Sequence, residues 1–130
     1  MKIEKNGLFN SPSKGQVTTD AMIADISGFV DEEPASFYRL VIGTDSQERR
    51  VNGASELDFV TAVIIHRMGK GARYFWKKIK KNGYKPVLRD KIYSETLMSL
   101  DCAQLIVPAI RKLISPAKYD LEIHIDVGPL

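Results

Sequence analysis

Apolar residues recur at helical spacing in TTDAMIADISGFVDEEP, where Met22, Ile23, Ile26, Phe29 and Val30 fall on one stripe. Thr18 or Thr19 is placed to cap that helix, and Pro34 stops it. Ahead of it, residues 1–17 are mostly polar, with turn signals at Asn10-Ser11-Pro12 and Gly15, and predict an extended lead-in. Behind it, Phe37 to Thr44 predicts a strand. SQERRVNGASEL is polar, and its Asn52-Gly53 pair marks a loop or hairpin connection. DFVTAVIIHR is rich in β-branched residues and predicts a second strand; ARYFWKKIK predicts a third after the turn at Met68-Gly69-Lys70-Gly71. The three make an antiparallel meander. In the third strand Tyr74 and Trp76 share one face, while Phe75 points the other way with Arg73 and Lys77.

A long helix is predicted from about Val87 to Ile114, with Pro108 inside it as a kink or restart point and Ser115-Pro116 as its end. Placed at about 100° per residue, Leu88, Ile92, Ser99, Cys102, Ala103, Ile106, Ile110 and Leu113 form one stripe that should pack on the sheet. YDLEIHIDVG is a fourth strand, alternating Leu121, Ile123, Ile125 and Val127 with Glu122, His124 and Asp126. Meander, helix and strand together put the fourth strand parallel to the first. The fold class expected is therefore α/β, a mixed sheet with one long crossover helix, preceded by an N-terminal helix, in a single domain spanning 1–130.

Three acids break this pattern. Glu95 falls in the middle of the buried stripe, where a carboxylate is costly unless something pairs with it. Asp45 is expected at the end of the first strand and Asp126 at the end of the fourth, which places both at the same sheet edge with Glu95 above them. Three converging carboxylates repel each other unless a divalent cation joins them, and all-oxygen ligands favour Mg²⁺ or Mn²⁺. The expectation is that Asp45, Glu95 and Asp126 lie within about 8 Å, since paired metals sit roughly 4 Å apart. Taken singly, each acid also fits a cap, a turn or a lysine partner.

Charge adds a second feature. The net charge is +3, yet Arg67 to Lys91 holds ten basic residues against one acid, Asp90. Lys70, Arg73, Lys77, Lys78, Lys80 and Lys81 are the candidates for holding a phosphate backbone. A lysine-rich strand that resists unwanted pairing would look the same. A single cysteine, Cys102, excludes an intramolecular disulfide and reads as a small core hydrophobe. With no long apolar run, the sequence reads as a cytoplasmic protein with no membrane partner.

VIGTDSQ, FVTAVIIHRMGKGA and the terminal IHIDVG together resemble the YkuK-type family of ribonuclease-H-like bacterial proteins, over about Phe9 to Gly128. The resemblance implies a ribonuclease-H-like fold whose acids on the first strand, first long helix and fourth strand bind metal; Asp45, Glu95 and Asp126 match those positions. It also implies a further strand and helix, carrying a fourth acidic ligand, beyond the fourth strand. The sequence stops at Leu130, so a C-terminally incomplete domain is expected, with a bare fourth-strand edge that favours a homodimer.

His66 and His124 fit a structural role, a proton shuttle or a metal ligand. GKGAR lacks the full spacing of a phosphate loop and reads as a hairpin turn. Tyr74 and Trp76 fit either core packing or base stacking. The function expected is a Mg²⁺- or Mn²⁺-dependent nuclease acting at Asp45, Glu95 and Asp126. The alternative is a non-catalytic nucleic-acid- or protein-binding domain on the same fold.

Overall fold

The computed structural model describes residues 8–82, 88–115 and 119–124. Its elements are β1 (Leu8–Ser11), β2 (Gly15–Thr18), α1 (Thr19–Glu32), β3 (Tyr38–Val51), β4 (Ala54–Arg67), β5 (Ala72–Asn82), α2 (Leu88–Leu113) and β6 (Tyr119–His124). The strands form one sheet in the order β2-β1-β5-β4-β3-β6. All neighbours are antiparallel except β3 and β6, which run parallel on either side of the α2 crossover.

α1 begins where Thr18 accepts a 3.1 Å hydrogen bond from the Ala21 amide, which satisfies one of the free N–H groups of the first turn. Its Met22, Ile23, Ile26, Phe29 and Val30 are buried, as the spacing predicts. They join Phe9, Leu40, Ile42, Val63, Ile65, Phe75, Cys102 and Ile106 in one core between the sheet and both helices. Arg67 closes one end of this core. Its guanidinium lies 4.0 Å from the Phe29 ring centroid and donates to the Phe29 carbonyl at 2.7 Å and to the Tyr38 hydroxyl at 3.2 Å. A buried cation is tolerable here because several acceptors and a ring face replace its water.

The structure corrects the sequence reading in several places. The polar stretch after Thr44 is strand: β3 runs to Val51, and β4 starts at Ala54 across a two-residue turn. Asn52 and Gly53 have φ of 52° and 79°, the left-handed pair that a tight hairpin needs. Arg49 ties the arm together through Glu56 at 3.0 Å and Asp58 at 2.8 Å. Asp45 is therefore within β3, opposite Val60, and does not end the strand.

The lead-in is a β-hairpin, β1 and β2, and β1 pairs with β5 at Asn10 and Trp76. So the sheet has six strands and β5 is not its edge. α2 runs unbroken through Pro108. Of its expected stripe, Ser99, Cys102, Ala103, Ile106 and Ile110 are buried, Ile92 is half-buried, and Leu113 is 56% exposed at the last turn. The side chain of Leu88, and residues Ile125, Asp126 and Val127 of the predicted fourth strand, lie outside the described residues. Among the described residues, no helix is long and apolar enough to cross a membrane.

Candidate functional site

Strand alternation decides which side chains of β3 can meet α2. Leu40, Ile42 and Thr44 are buried on the helix side; Val41, Gly43 and Asp45 face the other way. Ser46 also turns toward α2, and its hydroxyl donates a 2.6 Å hydrogen bond to Glu95 Oε2. One turn further along α2, Ser99 donates to Thr44 at 2.8 Å, and Thr44 shares a 2.9 Å bond with Thr61 of β4. Small hydroxyl residues at these positions let the helix approach β3 closely and give the buried polar atoms partners.

Glu95 is thus where the stripe placed it: 6% exposed, over the centre of β3. Asp45 is exposed on the opposite face, and its Oδ1 accepts a 2.9 Å bond from the Ser46 amide. Ser46 therefore contacts both acids, through its backbone on one side and its hydroxyl on the other. The sheet itself separates Asp45 from Glu95. Asp126 lies outside the described residues. Among the described residues, no group of three or more His, Cys, Asp or Glu is arranged to hold a metal ion. Asp45 and Glu95 thus present their carboxylates to opposite sides of β3.

The six basic candidates divide. Lys70, in the β4–β5 turn, lies 3.3 Å from Glu33. Arg73 and Lys77 turn inward, 4.7 Å from the Phe29 ring centroid and 5.7 Å from that of Phe9. Lys78 and Lys80 turn outward on β5, with Lys78 3.4 Å from buried Asp58. The side chain of Lys81 lies outside the described residues.

Sequence reasoning did not find the side of the sheet that no described helix covers, its open face. Both described helices pack on one face. On the other, Val41, Gly43, Asp45, Val60, Ala62 and Ile64 line a groove of about 460 Å³. Tyr74 and Trp76 lie beside it, their rings stacked at 5.8 Å and 28°. Tyr74 is 49% exposed, so the pair belongs to this surface and not to the core. A signal was present: DFVTAVII is apolar at nearly every position, as in a strand apolar on both faces. His124 closes the groove at the β6 side, exposed and 3.2 Å from Glu122, which makes it a surface residue. Gly43 gives His124 room, since a Cβ there would lie 3.3 Å from that of His124, closer than most such contacts. His66 is half-buried on β4.

The family model described as Ribonuclease H-like matches residues 21–130. The chain is also 35% identical over 133 residues to the protein named Uncharacterized protein YkuK of Bacillus subtilis (strain 168), covering 93% of this chain and 73% of that one. No solved structure matches. A mixed sheet with an antiparallel meander, a crossover helix and a parallel strand agrees with both matches. The chain belongs to the ribonuclease H-like family, as a YkuK-type member.

Proposed function

We propose that this domain binds nucleic acid through its phosphate backbone. The observation that carries the reading is that Lys78 and Lys80 of β5 turn outward in a ribonuclease H-like chain whose segment from Arg67 to Lys91 is strongly basic. Neutralising phosphates releases their condensed counterions, so affinity must fall steeply with salt. The test is fluorescence anisotropy of labelled RNA and DNA at several salt concentrations. Binding whose logarithm falls linearly with the logarithm of salt, and whose slope shrinks in Lys78→Ala/Lys80→Ala, supports the reading. Absence of binding at low salt overturns it.

A second reading, hydrolysis of the phosphodiester, is favoured by the buried Glu95 beside the strand that carries Asp45. It would require Asp45 to turn from the far face of β3 so that it shares Mg²⁺ or Mn²⁺ with Glu95 and Asp126. A bound cation would supply water activation and charge stabilisation. Cleavage of labelled RNA, DNA or hybrid that needs the cation and is lost in Asp45→Asn and Glu95→Gln would establish it. Binding without cleavage under the same conditions leaves the non-catalytic reading.

A further inference from the structure

The open face of the sheet carries features that neither the acidic residues nor the cation count explains. Tyr74 stands 49% exposed in a strand, next to Trp76, and both rings lie on the side away from the helices. Lys78 and Lys80 follow at the same alternation, so rings and cations form one line along β5. Across the sheet Tyr74, Trp76 and Lys78 lie opposite Ile64, Ala62 and Val60, an apolar floor, and Lys80 lies opposite Asp58. The far side differs in charge. There Glu122 pairs with Arg39 at 2.6 Å, and Asp120 is exposed beside it. A polyanion is therefore drawn to the Lys78 and Lys80 end of β5, whereas at β6 Arg39 offsets the charge of Glu122 and Asp120 opposes an anion.

We infer that this face is a platform for single-stranded nucleic acid, with bases stacking on Tyr74 and Trp76 and phosphates held by Lys78 and Lys80. The inference rests on the nucleic-acid reading above and adds the surface and the strandedness. Aromatic rings on an exposed sheet need a base with a free face. A duplex hides its base faces inside the stack, whereas a single strand offers them. Lys78 is shared with Asp58, whose other partner is Arg49 at 2.8 Å; with Arg49 also on Asp58, the Lys78 ammonium can turn to a phosphate without leaving that carboxylate alone. Asp45, two strands from Lys78, borders the groove and offers an acceptor to a base amino group.

Trp76 is the single tryptophan of the chain, so its fluorescence reports on this face alone. The experiment titrates the whole chain with oligo(dT) of about 12 nucleotides and with a duplex of equal length, following tryptophan emission and the anisotropy of the labelled oligonucleotide together. Quenching by the single strand is expected, with the duplex bound more weakly. Tyr74→Ala should weaken single-strand binding about tenfold, while Tyr74→Phe keeps it, since the ring and not the hydroxyl stacks. Because Tyr74 is exposed, both variants keep the core intact. Anisotropy that shows binding while tryptophan emission stays constant and Tyr74→Ala binds as tightly as the parent would overturn the platform and leave the nucleic-acid reading standing. Equal quenching by duplex and single strand would overturn the strandedness. No anisotropy change with either oligonucleotide would remove both readings.

Discussion

Ser46 Oγ donates a 2.6 Å hydrogen bond to Glu95 Oε2, joining the middle of β3 to the buried stripe of α2. A hydrogen bond to a charged acceptor contributes more than a neutral one, and its loss leaves part of a buried carboxylate without its donor. Ser46→Ala should therefore destabilise the domain by about 1–3 kcal/mol, read as a shift in the urea midpoint. Ser46→Thr, which keeps the hydroxyl, should lie closer to the parent. An alanine variant as stable as the parent would show that the bond contributes nothing net.

Cys102 sits in the core, and burial pushes its thiol up to about 12, with Lys77 acting weakly in the opposite sense. The thiolate is the reactive form, so the native chain should not react with a disulfide reagent near pH 8, and one thiol should appear in denaturant. The same shift has a stability consequence. A folded-state value above the ordinary 9.0 gives stability that is complete below 9.0 and is lost as pH climbs toward 12. Rapid labelling of the native chain would mean that α2 opens readily from the sheet.

Glu122 is held below its ordinary value of 4.5, first by the hydrogen bond with His124 and then by the Arg39 charge. A depressed carboxylate value means stability that is present above 4.5 and lost as pH falls through the lower folded-state value. Thermal melts from about pH 6 down to about pH 3 should show a smaller loss for Glu122→Gln than for the parent. Identical pH profiles would place this residue outside the acid transition. Glu122 is exposed enough to water that the effect should be modest.

β6 is the outer strand of the described sheet, and its Leu121 is 39% exposed. Unpaired backbone groups along such an edge can be satisfied by the same edge of a second copy under two-fold symmetry. We expect sedimentation velocity at micromolar concentration to show a dimer, and Leu121→Lys, at an exposed position, to shift it toward monomer. A clean species of 14.6 kDa with no self-association would rule the dimer out.

What the sequence determined by itself was local. The Thr18 cap and the apolar spacing of residues 22–30 specify α1. The stripe from Glu95 to Ile110 specifies the buried face of α2, and Glu95 at its start stands out because a carboxylate belongs in water. The alternation after Tyr119 and the intervening helix specify a parallel β6 beside β3. Each of these signals lies within one element or follows from the order of elements, so no distant residue is needed to read it.

The tertiary structure decided what depended on pairing between distant segments. Asn10 meets Trp76 across 66 positions of chain, and four residues of β1 carry too little pattern to announce a strand until β5 supplies its partner. β3 extends through SQERRV because β4 lies alongside, with Arg49 held by Glu56 and Asp58, and not because those residues favour strand on their own. The relation of Asp45 to Glu95 was also beyond local reading. Leu40, Val41 and Ile42 are all apolar, so alternation alone does not say which side of β3 faces inward. The docking of α2, through Ser99 on Thr44 and Ser46 on Glu95, settles that parity. A strand repeats every two residues, so this one choice turns Thr44 and Ser46 toward Ser99 and Glu95 of α2 and sends Asp45 to the other face with Tyr74 and Trp76.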